Sequence, residues 1–359
     1  MCAKTVDAIA TATMRETSAD APAPVAVEVV RGDTVESRHH AAVAVVDHRG
    51  RLVAALGDPD WVTYTRSSLK PFQALPTVRH DVCGRFGLSS RHVAVMCGSH
   101  SGEECHLQAV GDILAATGHQ VSDLQCGAHV PYWLRGTGEA VPPVSSFTAL
   151  HNNCSGKHAG MLALASLLGA PHKDYLDPNS PVQRAIRQTI ADFCKVSPDQ
   201  LARGTDGCSA PNYALPLRAL AFGYARLAHA AAAGGSSGPH DAAAATLIDA
   251  MRSHPELVSG TGRLDLRLAQ ATRGRAITKV GGEAVMGIAV PERALGIAIK
   301  ITDGGERAMG PTAVAVLRQL GMLDTAADQE LQTIAEPRIT NHRGIVVGSI
   351  RAVVALTVF

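Results

Sequence analysis

The chain has 359 residues, of which 46% are hydrophobic and 18% charged, a balance typical of a globular protein with a large core. Its formal net charge is +1 and aromatic residues make up 4% of it, so neither a basic nucleic-acid surface nor a set of base-stacking rings is indicated. No uncharged apolar run reaches the length of about 18 residues that a membrane-spanning helix needs.

The cysteines and the N-terminal segment both indicate a reducing compartment. None of the eight cysteines forms a CxxC pair, so free thiols in the cytoplasm are expected. The first residues lack the apolar core of a secretion signal and carry Asp7, Glu16 and Asp20. We therefore predict a disordered segment over residues 1–24, a single domain over residues 25–359 and no membrane attachment.

Strand patterns come first along the chain. Apolar and polar side chains alternate over residues 25–58, with Arg-Gly-Asp and His-Arg-Gly turns between the segments, which predicts three strands. A helix is predicted next, with Ser67 or Ser68 as its cap and Pro71 in its first turn. The apolar run at residues 91–97 is interpreted as a short buried strand, followed by a Gly/Ser turn and another helix.

The middle of the chain is predicted to be helical. Residues 152–169 form a helix pattern, Ser180 caps a second helix, and residues 211–233 form a long apolar one. Strands return over residues 274–305 and again over 344–356. This order predicts an α/β (α+β) fold in which a mixed, mostly antiparallel sheet comes from about residues 25–150 and 274–359, with a helical part at about 151–273.

The stretch "YTRSSLKPFQALP" at residues 64–76 contains the first candidate site. Only 7 of the 33 Lys+Arg residues are lysine, so a lysine in an apolar helix calls for a chemical reason. Arginine cannot lose its proton, whereas a desolvated lysine can. Ser67 and Lys70 share a helix face and match the Ser-x-x-Lys pair of serine hydrolases. The alternative is a capping serine beside a solvated lysine.

"CGSHSGEE" at residues 97–104 is the second candidate site. It follows an apolar run and opens a helix, where backbone N–H groups favour developing negative charge. Ser99 and His100 would lie on this tight turn. The alternative is a simple turn capped by Ser101 and Glu104.

Two cysteine motifs form the third candidate site. Cys154 and Lys157 lie three residues apart at a helix entry, and Cys208 follows Asp206 by two residues. Two thiolates and a third group could hold zinc with one position open. The alternative is a set of buried structural thiols.

"ITKVGGEAV" at residues 277–285 is the fourth candidate site. Lys279 ends a β-rich run and loosely resembles the Lys-Thr-Gly strand of Ser-Lys hydrolases. Gly281 and Gly282 would let a substrate approach the backbone. The alternative is a solvated strand end followed by a turn.

The motifs "RSSLK", "CGSHSGE", "NNCSGKHAGML", "DGCSAPNYALPL" and "KVGGEAV" together resemble the rhizobial-type L-asparaginases, the class 3 or asparaginase II family. The resemblance covers about residues 25–357. It implies a catalytic domain with a fold similar to serine β-lactamases and glutaminases, a homodimer, and the small molecule L-asparagine as substrate.

The resemblance also implies residue roles. The catalytic residues would form two Ser-Lys tandems, Ser67–Lys70 and Ser99–Lys279. A Zn²⁺ ion would be held by Cys154, Lys157 and Cys208 and would orient substrate without being essential for the chemical step. Substrate contacts are expected from Arg66, as a carboxylate clamp, and from His100, Asp206 and Gly281.

The expected reaction is acyl transfer. A serine Oγ attacks the side-chain amide carbon, a neutral lysine moves the proton to departing ammonia, and water hydrolyses the acyl-enzyme. Backbone N–H groups near Ser67 or Ser99 would hold the oxyanion. Either serine could attack, and analogy with Ser-x-x-Lys enzymes favours Ser67.

Two other functions remain open on the sequence. The same core could serve a glutaminase or a β-lactamase-like hydrolase, since glutamine differs from asparagine by only one methylene. A non-catalytic zinc or thiol sensor would use the two cysteine motifs alone, and substitution of Ser67 would then have no effect.

Overall fold

The computed structural model describes residues 22–135, 138, 140–236 and 239–359. The predicted disordered segment lies outside this part, apart from its last three residues. The strands are β1 (Val25–Arg31), β2 (Thr34–Asp47), β3 (Leu52–Leu56), β4 (Val62–Tyr64), β5 (Ala202–Thr205), β6 (Pro211–Pro216), β7 (Ile277–Gly281), β8 (Val285–Val290), β9 (Leu295–Ile301), β10 (Arg338–Thr340), β11 (Val346–Ala352) and β12 (Thr357–Val358).

The α-helices are α1 (Lys70–Arg79), α2 (Val82–Phe86), α3 (Ser90–Met96), α4 (Glu104–Ala116), α5 (Ser155–Leu168), α6 (Pro181–Cys194), α7 (Leu217–Ala232), α8 (Pro239–Ser253), α9 (Pro255–Val258), α10 (Leu264–Ala271), α11 (Met309–Gln319), α12 (Thr325–Glu330) and α13 (Gln332–Ala335). A 3-10 turn over Arg66–Leu69 precedes α1. No helix in the described ranges is long and apolar enough to cross a bilayer.

The main sheet combines strands from both ends of the chain. Its order is β10-β11-β1-β2-β9-β8-β7, with β3 beside β2 and β12 beside β3. Each pairing between neighbouring strands is antiparallel. The predicted α/β (α+β) class is confirmed, with strands at 25–56 and 277–358 enclosing a mostly helical middle.

Helices cover both faces of this sheet. Alternate residues of β2 point to opposite sides, so that Ala44 belongs to one apolar core and Val43 and Val45 to the other. Helix α7 packs on β2, β8 and β9 at very short range. A Cβ on Gly296 would lie 1.9 Å from the carbonyl oxygen of Ala221, so only glycine permits this approach.

Two predicted elements have the wrong type. Residues 90–96 form helix α3 instead of a buried strand, because Ser89 and His92 close a capping box at its start. Residues 211–216 form strand β6 in a small sheet of order β4-β6-β5, and the long helix begins only at Leu217. Pro216 explains that boundary, since the residue before a proline avoids the helical conformation.

Candidate active site

The 3-10 turn that carries Ser67 is fixed by strand β6. The backbone N–H of Arg66 donates to Asn212 Oδ1 at 3.1 Å, and the backbone N–H of Thr65 donates to the carbonyl of Tyr213 at 3.0 Å. Arg66 has a left-handed φ of 48°, a costly conformation for a side chain of this size. The predicted serine cap is wrong, because the N-cap of α1 is Leu69 and Ser68 Oγ instead donates to the carbonyl of Thr65 at 2.6 Å.

Lys70 is fully buried and lies next to Ser99. Its Nζ is 3.0 Å from Ser99 Oγ and 3.3 Å from the carbonyl oxygen of Asn153, and it also contacts the carbonyl oxygen of Gly98. Burial lowers the pKa of Lys70, and the charge of Lys157 lowers it further. A neutral amine has two hydrogens and one lone pair. The two carbonyls can accept the hydrogens, which leaves the lone pair facing the Ser99 hydroxyl.

This contact differs from the predicted pairing. Lys70 makes its serine hydrogen bond to Ser99, whereas the sequence paired it with Ser67. The reason is tertiary: Lys70 opens α1 on its buried side, where the turn after α3 and the entry to α5 supply the two carbonyl oxygens.

Lys279 is also fully buried, but its partner is an aspartate that the sequence analysis did not single out. Its Nζ is 3.7 Å from Asp265 Oδ2 and donates to the carbonyl of Val280 at 2.6 Å. These contacts replace the predicted Ser99–Lys279 hydrogen bond. Burial lowers the pKa of Lys279 to about 7, although Asp265 opposes the shift. The only sequence signal for Asp265 is its place three residues before Leu268, on the apolar face of α10.

The three predicted metal ligands, Cys154, Lys157 and Cys208, lie together. Lys157 Nζ is 2.9 Å from Cys208 Sγ, and all three side chains are buried. The hydrogen bond with Cys208, together with burial, raises the pKa of Cys154 to about 12. The same hydrogen bond, helped by the charge of Lys157, lowers the pKa of Cys208 to about 5. These shifts favour a thiolate at Cys208 beside a protonated Lys157.

This donor set fits zinc. Two sulfurs and one nitrogen converge in a buried place, and three protein ligands leave the fourth tetrahedral position open. Metal binding would require Cys154 and Lys157 to lose their protons. The thiolate at Cys208 is already a suitable anionic ligand.

Asp206 connects the cysteine group to the 3-10 turn. Its carboxylate accepts a hydrogen bond from Arg66 Nε at 2.8 Å and lies 4.0 Å from Cys208 Sγ. Burial opposes its ionisation, yet the charges of Lys157 and Arg66 lower the pKa of Asp206 below its ordinary value. Arg66 faces a separate cavity of about 540 Å³, bounded also by Lys300. The predicted carboxylate clamp is thus already paired inside the protein.

Ser67 and Ser99 both line a cavity of about 400 Å³. Its wall also contains Gly281, where a Cβ would lie 3.0 Å from the backbone nitrogen of Ser68. His100 does not line this cavity. It is fully buried, its Nδ1 accepts a hydrogen bond from the Gly102 N–H, and its Nε2 is 2.9 Å from Ser155 Oγ. His100 therefore supports the turn instead of facing a substrate.

The oxyanion prediction needs one correction. The backbone N–H of Ser99 donates to the carbonyl of Val258 at 2.9 Å, and that of His100 donates to the carbonyl of Asn153 at 3.1 Å. Both amides are engaged, so neither is free to bind an oxyanion. Five polar residues of the cavity wall were not predicted from the sequence, namely Tyr132, Arg135, Asn153, Arg263 and Glu306. None of them belongs to a quoted motif except Asn153.

Comparisons with known proteins identify the family of the chain. A family model described as L-asparaginase II matches residues 27–352. No curated protein matches the chain. Among solved structures, Mglu in its native form in 4.3 M NaCl is 18% identical, with a TM-score of 0.41, over 78% of this chain and 60% of that one.

Two further solved structures are β-lactamases by description. A putative β-lactamase from Bacteroides dorei is 11% identical over 82% of this chain and 93% of its own, with a TM-score of 0.37. A β-lactamase from Mycobacterium bovis is 14% identical over 78% and 94%, with a TM-score of 0.30. Scores this low carry no functional weight, whereas the family match spans most of the chain. The chain belongs to the L-asparaginase II family.

Proposed function

We propose that this protein is an L-asparagine amidohydrolase that releases aspartate and ammonia through a serine acyl-enzyme. The substrate class follows from the family. We infer the rhizobial-type, class 3 branch of that family from the quoted motifs, which support it. The observation that carries the chemistry is the contact between Lys70 Nζ and Ser99 Oγ at 3.0 Å, in a buried place with two carbonyl acceptors.

In this mechanism Ser99 is the nucleophile. Its Oγ attacks the side-chain amide carbon of asparagine, and its proton passes to the lone pair of Lys70. Lys70 then gives that proton to the leaving nitrogen, which departs as ammonia. A water molecule attacks the resulting ester and gives a proton to Lys70. The bond between the acyl carbon and Ser99 Oγ then breaks, Lys70 returns the proton to that oxygen, and aspartate is released. This assignment favours Ser99 over Ser67, which lines the same cavity and would help to position the amide.

The protonation of Lys279 is coupled to that of Lys70. The charge of Lys70 lowers the pKa of Lys279, so the two buried amines disfavour each other's protonation. Asp265 holds Lys279 at 3.7 Å and can stabilise its charged form when Lys70 is neutral. Mutual repulsion therefore favours the neutral form of one of the two amines, and the proposed mechanism uses Lys70 in that form.

We further propose that Cys154, Lys157 and Cys208 hold Zn²⁺. A bound ion would supply a Lewis-acidic centre with an open position that helps to orient the substrate. The Asp206–Arg66 pair links these ligands to the turn that carries Ser67. We assign no step of the hydrolysis to the ion.

Ammonia release by the purified protein tests the proposal. We expect release from L-asparagine, with slower release from L-glutamine, and its loss in Ser99→Ala. Ser67→Ala should reduce the rate less, and treatment with EDTA should weaken activity without abolishing it. No release from either amide, combined with tightly bound zinc and metal-dependent folding, would replace this function with the zinc or thiol sensor.

Two properties of the whole molecule complete the proposal. We infer a homodimer from the resemblance described above, which sedimentation velocity would test directly. We place the protein in the cytoplasm. The seven cysteines in the described part are all free thiols, which supports a reducing compartment.

A further inference from the structure

The wall of the serine cavity carries charges that the proposed chemistry does not use. Arg135, Arg263 and Glu306 line it together with Ser67 and Ser99. Within the described ranges, none of these three charged side chains forms an ion pair. Two cations and one carboxylate around a small-molecule cavity match the two charged groups of a free amino acid.

Arg263 is anchored to the residue that carries the nucleophile. Its Nη1 donates to the backbone carbonyl of Ser99 at 2.6 Å. The guanidinium has further N–H groups for a ligand, since arginine has five in all. The carbonyl oxygen and Oγ of Ser99 belong to one residue, so the separation between this guanidinium and the attacking oxygen is fixed within narrow limits.

Arg135 is held near the same place by an aromatic ring. Its guanidinium lies 4.1 Å from the ring centroid of Tyr132, and the Arg263 guanidinium lies 4.9 Å from that centroid. His129 stacks on the same ring at 5.1 Å. Tyr132 therefore orients both cations beside the cavity, where a bound anion would neutralise their charge.

We propose that Arg263 and Arg135 bind the α-carboxylate of the substrate and that Glu306 binds its α-ammonium group. This inference rests on the proposed amidohydrolase function and names the substrate-recognition site for it. It moves the carboxylate clamp away from Arg66, which is paired with Asp206 at 2.8 Å and lines a different cavity.

The anchoring of Arg263 also sets the length of the substrate. Asparagine has two carbons between its carboxyl carbon and its amide carbon, and glutamine has three. A clamp attached to the nucleophile's own backbone cannot move away to accept the extra methylene. We therefore expect glutamine to be a poorer substrate by about 10- to 200-fold in kcat/KM, the range that one methylene can give.

Matched substrate analogues separate the two contacts. 3-Aminopropanamide lacks the α-carboxylate of asparagine, and succinamate lacks its α-ammonium group. Arg135→Gln and Arg263→Gln should raise KM for L-asparagine about 10- to 100-fold, as expected for a lost charge-assisted hydrogen bond. The same variants should leave kcat/KM for 3-aminopropanamide nearly unchanged. Glu306→Gln should weaken use of L-asparagine and leave succinamate unaffected.

The control is Arg267→Gln, four residues after Arg263, whose guanidinium donates to Thr333 Oγ1 at 3.1 Å. It should behave as wild type with every substrate. The proposal is overturned if both clamp variants lower kcat/KM equally for asparagine and 3-aminopropanamide, or change neither. Arg135→Gln decides the matter if Arg263→Gln disturbs Ser99.

Calorimetric binding of L-aspartate gives a readout without turnover. Aspartate should bind wild type and bind Arg135→Gln at least about tenfold more weakly, by the same hydrogen-bond estimate. Unequal binding with no ammonia release from any amide would reject the proposed hydrolysis while keeping the recognition site. Equal binding by the two proteins, with normal asparagine hydrolysis, would reject the recognition site alone.

Discussion

Removal of the Lys70 amine is the sharpest test of the proposed base. Lys70→Met preserves much of the apolar stem in a fully buried position but removes the lone pair that faces Ser99 Oγ at 3.0 Å. Lys70→Arg keeps a positive charge and cannot accept a proton. The two variants therefore distinguish a base from a simple cation, and both should be inactive.

The size of the loss follows from the contacts of the amine. A positioned general base contributes about 10²- to 10⁴-fold to the rate, or about 2.7–5.4 kcal/mol at 1.36 kcal/mol per factor of ten. Lys70 has 0% exposure, so bulk water cannot take its place beside Ser99. We therefore expect the upper part of this range, a fall in kcat of about 10³- to 10⁴-fold.

Steady-state ammonia release, with folding checked by circular dichroism and thermal unfolding, measures this effect. Lys173→Met removes an exposed lysine and should behave as wild type. A folded Lys70→Met protein that keeps more than a tenth of wild-type kcat would refute the base assignment. Activity in Lys70→Arg but not in Lys70→Met would show that the charge of this residue is needed instead of its lone pair.

Three further predictions concern neighbouring residues. Between about pH 7 and 10, the free energy of unfolding should rise with pH more steeply in wild type than in Lys279→Met, by up to about 1.4 kcal/mol per pH unit. The reason is that folded Lys279, with a pKa of about 7, has lost a proton that the unfolded lysine, with a pKa of 10.5, keeps. Equal slopes in urea unfolding at pH 7, 8 and 9 would contradict this. Gly281→Ala should cost about 1–3 kcal/mol of stability and most of the activity, since its Cβ would meet backbone atoms. Gly282→Ala should cost less, because its Cβ would meet only a flexible guanidinium at 3.3 Å. Similar urea midpoints for the two variants would argue against the close approach at Gly281. Cys208→Ser should lose zinc on dialysis, as read by elemental analysis, while staying folded and partly active, and zinc retained at the wild-type level would exclude this ligand.

Short-range spacing was the part of the site that the sequence could predict. Cys154 and Lys157 lie three residues apart at the entry of α5, and the helix brings them to one side as expected. Cys208 comes from a turn more than 50 residues later, so the sequence offered it only as a possible second thiolate, and the family resemblance implied the full ligand set. The N- and C-terminal strands were likewise predictable, since alternation of apolar side chains is a local property.

Contacts between residues far apart in the chain were the part of the site that the sequence could not predict. Ser67 and Lys70 have the expected spacing, yet two carbonyl oxygens on other elements direct the lysine to Ser99. Asp265 and Arg263 stand beside a short helix with no motif around them, and their roles appear only when that helix packs against β7. Local patterns determine which side chains share a face of a helix or strand, whereas the partner of each side chain depends on how these elements pack together.

Burial of lysine connects the composition of this chain to its chemistry. Lys70, Lys157 and Lys279 are each at most 3% exposed, and burying an ammonium group is costly unless it is paired or loses its proton. The fold deals with the three amines differently. A thiolate lies 2.9 Å from Lys157, a carboxylate lies 3.7 Å from Lys279, and Lys70 has only carbonyl and hydroxyl neighbours among its hydrogen-bond partners. Burial lowers the pKa of Lys70 although the charges of Cys154 and Cys208 oppose that shift, and Lys70 is the amine that touches Ser99. The same desolvation that weakens the fold at this point therefore creates the base, which explains why an arginine-rich chain keeps lysine here.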